Sequence, residues 1–367
     1  MFKQKLQNAF KKSFQFLFKI IYGKILYKDK NLIQKNINIS KVNSSKIKKF
    51  NNDLYKIYKI KNGRVYNDTV ENVAIINENQ ILDNISYQQQ NGKLCKANSS
   101  IILSKGTPRI KKTIEGNLFI LSQGASGNEN YFHWMFDIIP KLKIFKEIYK
   151  IDEVDYFYFP KLKTWQKDIL DLMGLNNIKI LDSNIYRHVQ AKEIIAVEHP
   201  WYEKGYILEE VNNIPHWIIE WLKDEFISSA ENFNSNKKIF IDRSESKFTH
   251  CQIINDIEIS SYLESKGFTK YKVGQLTFKK QISLFKNAKI IVGAHGAAFS
   301  NLIFCEPQTK IIEIKPKNHF NNVNKKISEI NDLNYKLIET AIAPDNEKNN
   351  GDIYLDIKCL QEIIGGD

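Results

Sequence analysis

The chain alternates between two hydrophobic patterns, short apolar runs with polar borders and longer stretches with apolar residues three and four apart. The first kind predicts strands at VENVAIINEN (70–79), KANSSIILS (96–104) and NLFILSQ (117–123). The loop GASGNE leads from the last of these into NYFHWMFDIIPKLKIFKEIYK (130–150), which carries a helical period. There His133, Asp137 and Lys141 share one face by i, i+4 spacing, and Trp134, Ile138 and Leu142 form an apolar stripe. Pro140 inside this pattern kinks the helix or starts a second one. VDYFYFP is a strand without charge after Asp155, as expected of a central strand covered on both faces. TWQKDILDLMGL is a helix stopped at Gly174, and IKILD and AKEIIAV are further strands.

A helical stretch, IPHWIIEWLKDEFISSAENF, runs into the polar NSNKK, a plausible domain junction. The alternation then resumes. KIFIDR, FTKYKV, KIIVGAHG and TKIIEIKP read as strands, with helices at IINDIEISSYLESKG, at TFKKQISLFKNA and from about Ala297. Strands alternating with helices imply parallel sheets with crossover helices. The fold class is therefore α/β, expected as two Rossmann-like domains facing each other across a cleft. The expected divisions are a basic arm at 1–64, an N-terminal domain at 65–234, a C-terminal domain at 235–340 and a tail at 341–367. The tail is expected to pack back on the N-terminal domain.

Charge changes the picture at one end only. The chain of 367 residues has a formal net charge of +13. Residues 1–64 hold 17 Lys and Arg against Asp29 and Asp53, a surplus of 15 that exceeds this total, so the rest of the chain carries −2. The positive charge belongs to the arm, and no basic patch or recognition helix speaks for nucleic acid. In the arm, Phe2, Leu6, Phe10, Phe14, Leu17, Ile21 and Ile25 recur at helical spacing among lysines. Such a basic amphipathic helix over residues 1–28 suits an anionic membrane surface, each nearby lysine adding about 1 kcal/mol. A helix packed on its own domain or on a partner chain would give the same pattern. No cleavable signal peptide and no spanning helix are expected, and the four scattered cysteines (Cys95, Cys251, Cys305, Cys359) fit a reducing compartment. The expected location is cytoplasmic, peripheral on the inner face of the cell membrane.

Candidate chemistry concentrates in two places. IIVGAHGAAFSNLIF (290–304) sets His295 between Gly293 and Gly296 where a strand gives way to a helix. A glycine-rich turn of this kind offers backbone N–H groups and a helix N-terminus to an anion, at the carboxyl edge of the sheet. Glu313 follows Gly293 by twenty residues, a separation at which an acid takes ribose hydroxyls in dinucleotide folds. The plainer reading is a tight turn with His295 bonded internally. The second place is His133 with Asp137 one helical turn on, where the carboxylate fixes one imidazole tautomer. Here the plainer reading is a core histidine capped by Asp137. No Asp-x-Asp at a strand end, HxxxH, GxSxG or Walker loop is present, so metal, serine-hydrolase and P-loop chemistries find no support.

Together, NYFHWMFDIIPKL and GAHGAAFSNLIFCEPQTKIIEI resemble glycosyltransferase family 61, whose members show N-Y-x-H-W-x-x-D and, later, H-G-A-x-x-x-N-x-x-F…P…E. IFIDR with Arg243, IINDIEI with Asn255 and Asp256, and FKKQISLFKNAKIIVGAHG with Gln281 are similar too, so the likeness runs in order over 117–316. It implies a GT-B arrangement, an inverting transfer that uses no metal and no cofactor, and a nucleotide-sugar co-substrate, commonly UDP-linked. It also implies a membrane-associated glycan or glycolipid acceptor in capsule or lipopolysaccharide synthesis. The expected catalytic residues are His133 and Asp137, either of which is a candidate base. Donor binding falls to Arg243, Lys247, Gly293, His295, Gly296, Ala297, Asn301 and Glu313, with Asn130, Trp134 and Gln281 on the acceptor and support side. A helix dipole gives an anion only up to about 2 kcal/mol, whereas glycosyl transfer needs roughly 8 kcal/mol or more. Cations must therefore help, Arg243 first and Lys247 second. The chain departs from the family at Lys247, His250 and Cys251, where paired basic residues are usual. Its rivals are a non-catalytic nucleotide- or polyanion-binding protein and a His/Asp phosphohydrolase.

Overall fold

The computed structural model describes residues 2–27, 35–69, 72–90, 93–95, 97–122, 129–203, 205–244, 251–317, 319, 321–341 and 351–364. The chain divides into two compact units, Met1–Pro215 and His216–Asp367. Both units mix helices and strands. The division at Pro215 corrects the expected boundary at 234. The helix His216–Phe226 belongs with the second unit, where Lys223 Nζ donates to Cys305 O at 2.8 Å and Phe226 meets Phe278 edge-on.

Among the described residues the first unit is built on a 12-stranded mixed sheet. Its early strands are β1 Ile37–Lys41, β2 Lys56–Lys61, β3 Arg64–Thr69, β4 Asn72–Asn77, β5 Gln80–Ile81, β6 Tyr87–Gln90 and β7 Lys93–Cys95. They are followed by β8 Lys112–Ile120, β9 Tyr156–Phe159, β10 Lys179–Asp182, β11 His188–Val197 and β12 Gly205–Tyr206. Strands β10, β9, β8 and β11 are neighbours in that order and all parallel, joined through helices Ile139–Lys146 and Thr164–Leu172. This is the expected βαβ alternation, and Phe157, Tyr158 and Phe159 of β9 are buried on both faces as the uncharged run required.

The remaining pairings of this sheet are antiparallel, which the expectation of a parallel domain did not include. β2 and β3 lie end to end along one edge of β11, at Glu193–Val197 and His188–Gln190 respectively. Asn62, in the left-handed region at φ 54°, makes the bend between them. Two further expectations are corrected here. Residues 37–61, assigned to the basic arm, supply two sheet strands whose Ile57 and Ile60 are fully buried. KANSSIILS is a 3-10 turn and a short helix instead of a strand.

Among the described side chains, the helix Phe2–Tyr22 is fixed to the first unit near its C-terminal end. Phe18 is buried, Lys19 Nζ donates to Ser104 O at 2.6 Å, and the Tyr22 ring meets His188 edge-on. Leu6, Phe10, Phe16 and Ile20 are 63–67% exposed, so these apolar side chains are left largely uncovered. No helix among the described residues is long and apolar enough to cross a membrane.

The second unit has a parallel sheet of β13 Lys238–Ile241, β14 Thr269–Tyr271, β15 Ile290–Ala294, β16 Lys310–Pro316 and β17 Asn334–Thr340, ordered β14-β13-β15-β16-β17. Renumbered from the first strand, this is the 2-1-3-4-5 order of a doubly wound sheet, whose switch point lies between β13 and β15. The tail corrects another expectation. Ile353, Leu355, Leu360 and Ile364 join this unit's own core, and Ile254 N bonds Ile353 O at 2.9 Å. Asn255 clamps the tail both ways, donating to Leu355 O and accepting from Leu355 N.

Candidate active site

In the first unit, the segment after β8 enters a helix at Asn130, whose side chain accepts from Phe132 N at 2.9 Å as an N-cap. The helix widens into one π turn over Trp134–Ile138 before the α-helix resumes at Ile139 with Pro140 in its first turn, where a missing N–H is tolerated. Within this widened segment His133 Nδ1 lies 2.8 Å from Asp137 Oδ2. The carboxylate can only accept, so Nδ1 carries the proton and Nε2 presents a lone pair. Asp137 is buried, and its Oδ1 takes Trp201 Nε1 at 2.9 Å, while His199 Nε2 stands 3.6 Å from Oδ2. His199 Nδ1 accepts from Tyr202 N at 3.0 Å, which turns its Nε2 proton toward the carboxylate. Burial by itself raises the Asp137 pKa, but the charges and hydrogen bonds of His133 and His199 more than reverse this and hold the group below the ordinary carboxylate range.

Sequence reasoning missed Trp201 and His199. The available signal was EHPWYE (198–203), a polar and aromatic cluster directly after β11, hence at the carboxyl edge beside β8 where Asp137 also sits. Lys141, one turn beyond Asp137, is fully buried and donates to Leu121 O at 2.8 Å. Burial pushes its pKa down to about 7 against the pull of the Asp137 charge. Trp134 is core: its indole is fully buried and packs edge-on against Phe159 and Trp165, so no face is left for an acceptor.

In the second unit, β13 ends at Ile241, and Arg243 reaches across the switch point to β15. Its Nη1 donates to His295 O. Gly296 is explained by this contact, because a Cβ there would collide with the guanidinium. Gly293 answers to packing instead: its Cβ would lie 2.9 Å from Ile241 Cβ and 3.1 Å from the Phe299 ring. The turn is therefore filled by an arginine, which corrects the expectation of an open backbone cradle. The succeeding helix, Ala297–Phe304, is 3-10, and two turn amides are engaged, His295 N with Ile314 O and Phe299 N with Gly296 O.

His295 Nδ1 stands 2.5 Å from Glu313 Oε1. The same buried carboxylate accepts from Asn324 Nδ2 at 2.6 Å and from the Tyr335 hydroxyl. Burial raises the Glu313 pKa, and His295 with these donors brings it below its ordinary value. Glu313 is thus engaged inside the protein as the anchor of His295, away from the ribose role the spacing suggested. The His319 ring lies on His295 with centroids 4.2 Å apart. Asn301 and Gln281 are a brace: Asn301 Nδ2 donates to Gln281 Oε1 at 3.0 Å, and Gln281 Nε2 to Leu276 O at 3.1 Å. Ala297 opens the 3-10 helix beside them. Lys247, His250 and part of the GASGNE loop lie outside the described residues. Among the described residues, no group of three or more His, Cys, Asp or Glu is placed to hold a metal ion.

Each unit therefore holds one imidazole whose Nδ1 is fixed by a buried carboxylate, with one near-buried cation, Lys141 or Arg243, beside it. The sequence model of the family described as Glycosyltransferase 61 matches residues 131–312, which take in His133, Asp137, Trp201, Arg243 and His295. The chain is also similar to the Beta-1,2-xylosyltransferase RCN11 of Oryza sativa subsp. japonica, with 26% identity over 133 residues, 32% of this chain and 25% of that protein. It thus spans about a quarter of the length of that curated relative.

Proposed function

We propose, for a chain whose residues 131–312 belong to glycosyltransferase family 61, that it moves a pentose or hexose from a nucleoside diphosphate to a glycan acceptor with inversion. His133 is the base: with Nδ1–H held by Asp137, its Nε2 takes the proton of the acceptor hydroxyl. The freed oxygen forms the new bond to the anomeric carbon as the bond to the diphosphate oxygen breaks, and the diphosphate leaves with the electron pair. Arg243, at the switch point of the second unit beside the His295 turn, is the cation for that leaving charge. The reading treats the chain as a GT-B-type enzyme that works without a metal, the second unit binding the donor and the first supplying the base and acceptor site.

The observation that carries this reading is the Asp137 carboxylate, which is buried, ionised and bonded to both His133 and Trp201. A buried ionised group is costly unless it is needed and paired. The His133 side chain keeps 14% of its surface exposed, so it is not fully enclosed as a core histidine would be. The exposed apolar and lysine-bearing face of Phe2–Tyr22 supports a peripheral place on the inner face of the cell membrane, beside a membrane-associated acceptor of capsule or lipopolysaccharide synthesis. The family favours UDP-linked donors, and the relative's printed activity makes UDP-xylose the first to try. The test is nucleotide release from a panel of UDP-sugars with candidate glycan acceptors. UDP release with at least one donor is expected, and silence across the whole panel would remove the reading.

A further inference from the structure

A cavity of about 260 Å³ opens in the first unit on the other wall of the residues that hold Asp137. Trp201 and His199 belong to both. From this shared wall we infer that the cavity is a subsite for one neutral sugar ring of the glycan acceptor. The inference rests on the transferase reading for the word acceptor, but the cavity's ligand chemistry is read from its own residues.

Its size is below the roughly 300–1,000 Å³ of sites for drug-sized ligands, so it suits one ring better than a nucleotide. Its lining pairs aromatic with hydroxyl-binding groups: Phe50, Trp201 and Tyr202 on one hand, Glu203, Glu210 and Asn213 on the other. Aromatic faces cover the C–H surface of a sugar, and carboxylate and amide oxygens accept from its hydroxyls. Charge decides against an anionic ligand. Lys49, the lining lysine, is matched by Glu198 at 2.7 Å, which leaves Glu203 and Glu210 to make the cavity negative. A phosphate, nucleotide or uronate is therefore repelled where a polyol is accepted.

The wall carrying Phe50 is built, not slack. Asn51 Nδ2 donates to Asp53 Oδ2 at 2.9 Å, Lys49 N bonds Asp53 O at 3.0 Å, and Asn52 takes a left-handed φ of 65°. Phe50 itself is 59% exposed, so its ring is open to a ligand at the cavity's rim. Opposite, Asn213 Nδ2 donates to Glu210 Oε2 at 3.0 Å and sets the carboxylate's direction.

Saturation-transfer NMR on the full chain tests this without any donor present. The probes are the methyl glycosides of xylose, galactose and glucose, with methyl glucuronide as the anionic counterpart. At least one neutral glycoside is expected to bind at millimolar concentration and the glucuronide more weakly. Phe50→Ala and Glu210→Gln should each weaken binding by about tenfold, while Ile110→Ser, at an 84% exposed position outside the cavity, should leave it unchanged. Thermal transitions confirm that each variant is folded. The inference is overturned if no neutral glycoside binds, if the glucuronide binds best, or if binding survives both cavity substitutions. Nucleotide release is scored separately. Glycoside binding without turnover of any UDP-sugar sinks the transferase reading and leaves the cavity's chemistry standing, and turnover without glycoside binding does the reverse.

Discussion

Arg243 and Gly296 occupy one space: a Cβ on residue 296 would collide with the arginine's Nη1, which donates to the carbonyl of the neighbouring His295. The glycine is thus selected by a side chain of the same chain. This matters for function because the turn after β15 brings a guanidinium, and not only backbone amides, to the switch point of a doubly wound sheet.

Gly296→Ala should therefore act as an arginine mutation. Displacing the guanidinium removes a charge-assisted contact, expected to weaken UDP binding by about 10- to 100-fold. Calorimetric titration with UDP checks this, and Arg243→Ala should give a loss of similar size. Binding unchanged in both variants would remove Arg243 from the donor site.

Trp201 is expected to act on catalysis through Asp137. Trp201→Phe keeps the ring and deletes the hydrogen bond to Oδ1, and should lower kcat by about tenfold with little change in donor KM. Asp137→Asn should cost more, because it removes the charge that both neighbouring histidines oppose. A kinetic comparison of the two variants decides whether the carboxylate's orientation matters or only its presence.

Lys141 gives a pH dependence of stability with a definite sign. Its pKa is about 7 in the fold against 10.5 ordinarily. Between those values the unfolded chain binds a proton that the native state does not, so this lysine makes stability rise with pH from about 7 toward 10. Urea midpoints at pH 7 and pH 9 should show the rise in the parent protein, and Lys141→Met should flatten it.

The helix Phe2–Tyr22 should hold the protein on anionic vesicles. Changing Lys3, Lys5, Lys11 and Lys12 to Gln removes about 1 kcal/mol each at a surface, and should release the protein at physiological salt. Co-sedimentation with phosphatidylglycerol vesicles reads this directly, and neutral vesicles should bind the parent protein weakly.

Much of the parallel architecture could be read from the sequence, because buried strands such as Tyr156–Phe159 are short uncharged apolar runs and amphipathic helices such as Phe278–Asn287 bear a clear helical period. The antiparallel part could not. Strands such as Ile37–Lys41 are short, polar and half-exposed, and they gain their state from pairing with β2 and, through it, β11. In the site, the pairing of His133 with Asp137 could be read from helical spacing, and His295 and Glu313 were each singled out, but their bond to one another was not, since the spacing suggested a ribose role for Glu313. Trp201, His199, His319 and Tyr335 were not, since each enters through a contact between elements distant in sequence. The glycine turn misled for a physical reason: the space beside Gly296 is taken by the Arg243 guanidinium of the same chain.

In the proposed transfer His133 removes the acceptor proton. Its most direct test is the rate of sugar transfer by His133→Ala, set beside the affinity of the same variant for UDP. A fall in kcat of about 10²- to 10⁴-fold with unchanged UDP affinity and thermal transition is the expected result. Transfer at the parent rate would contradict it.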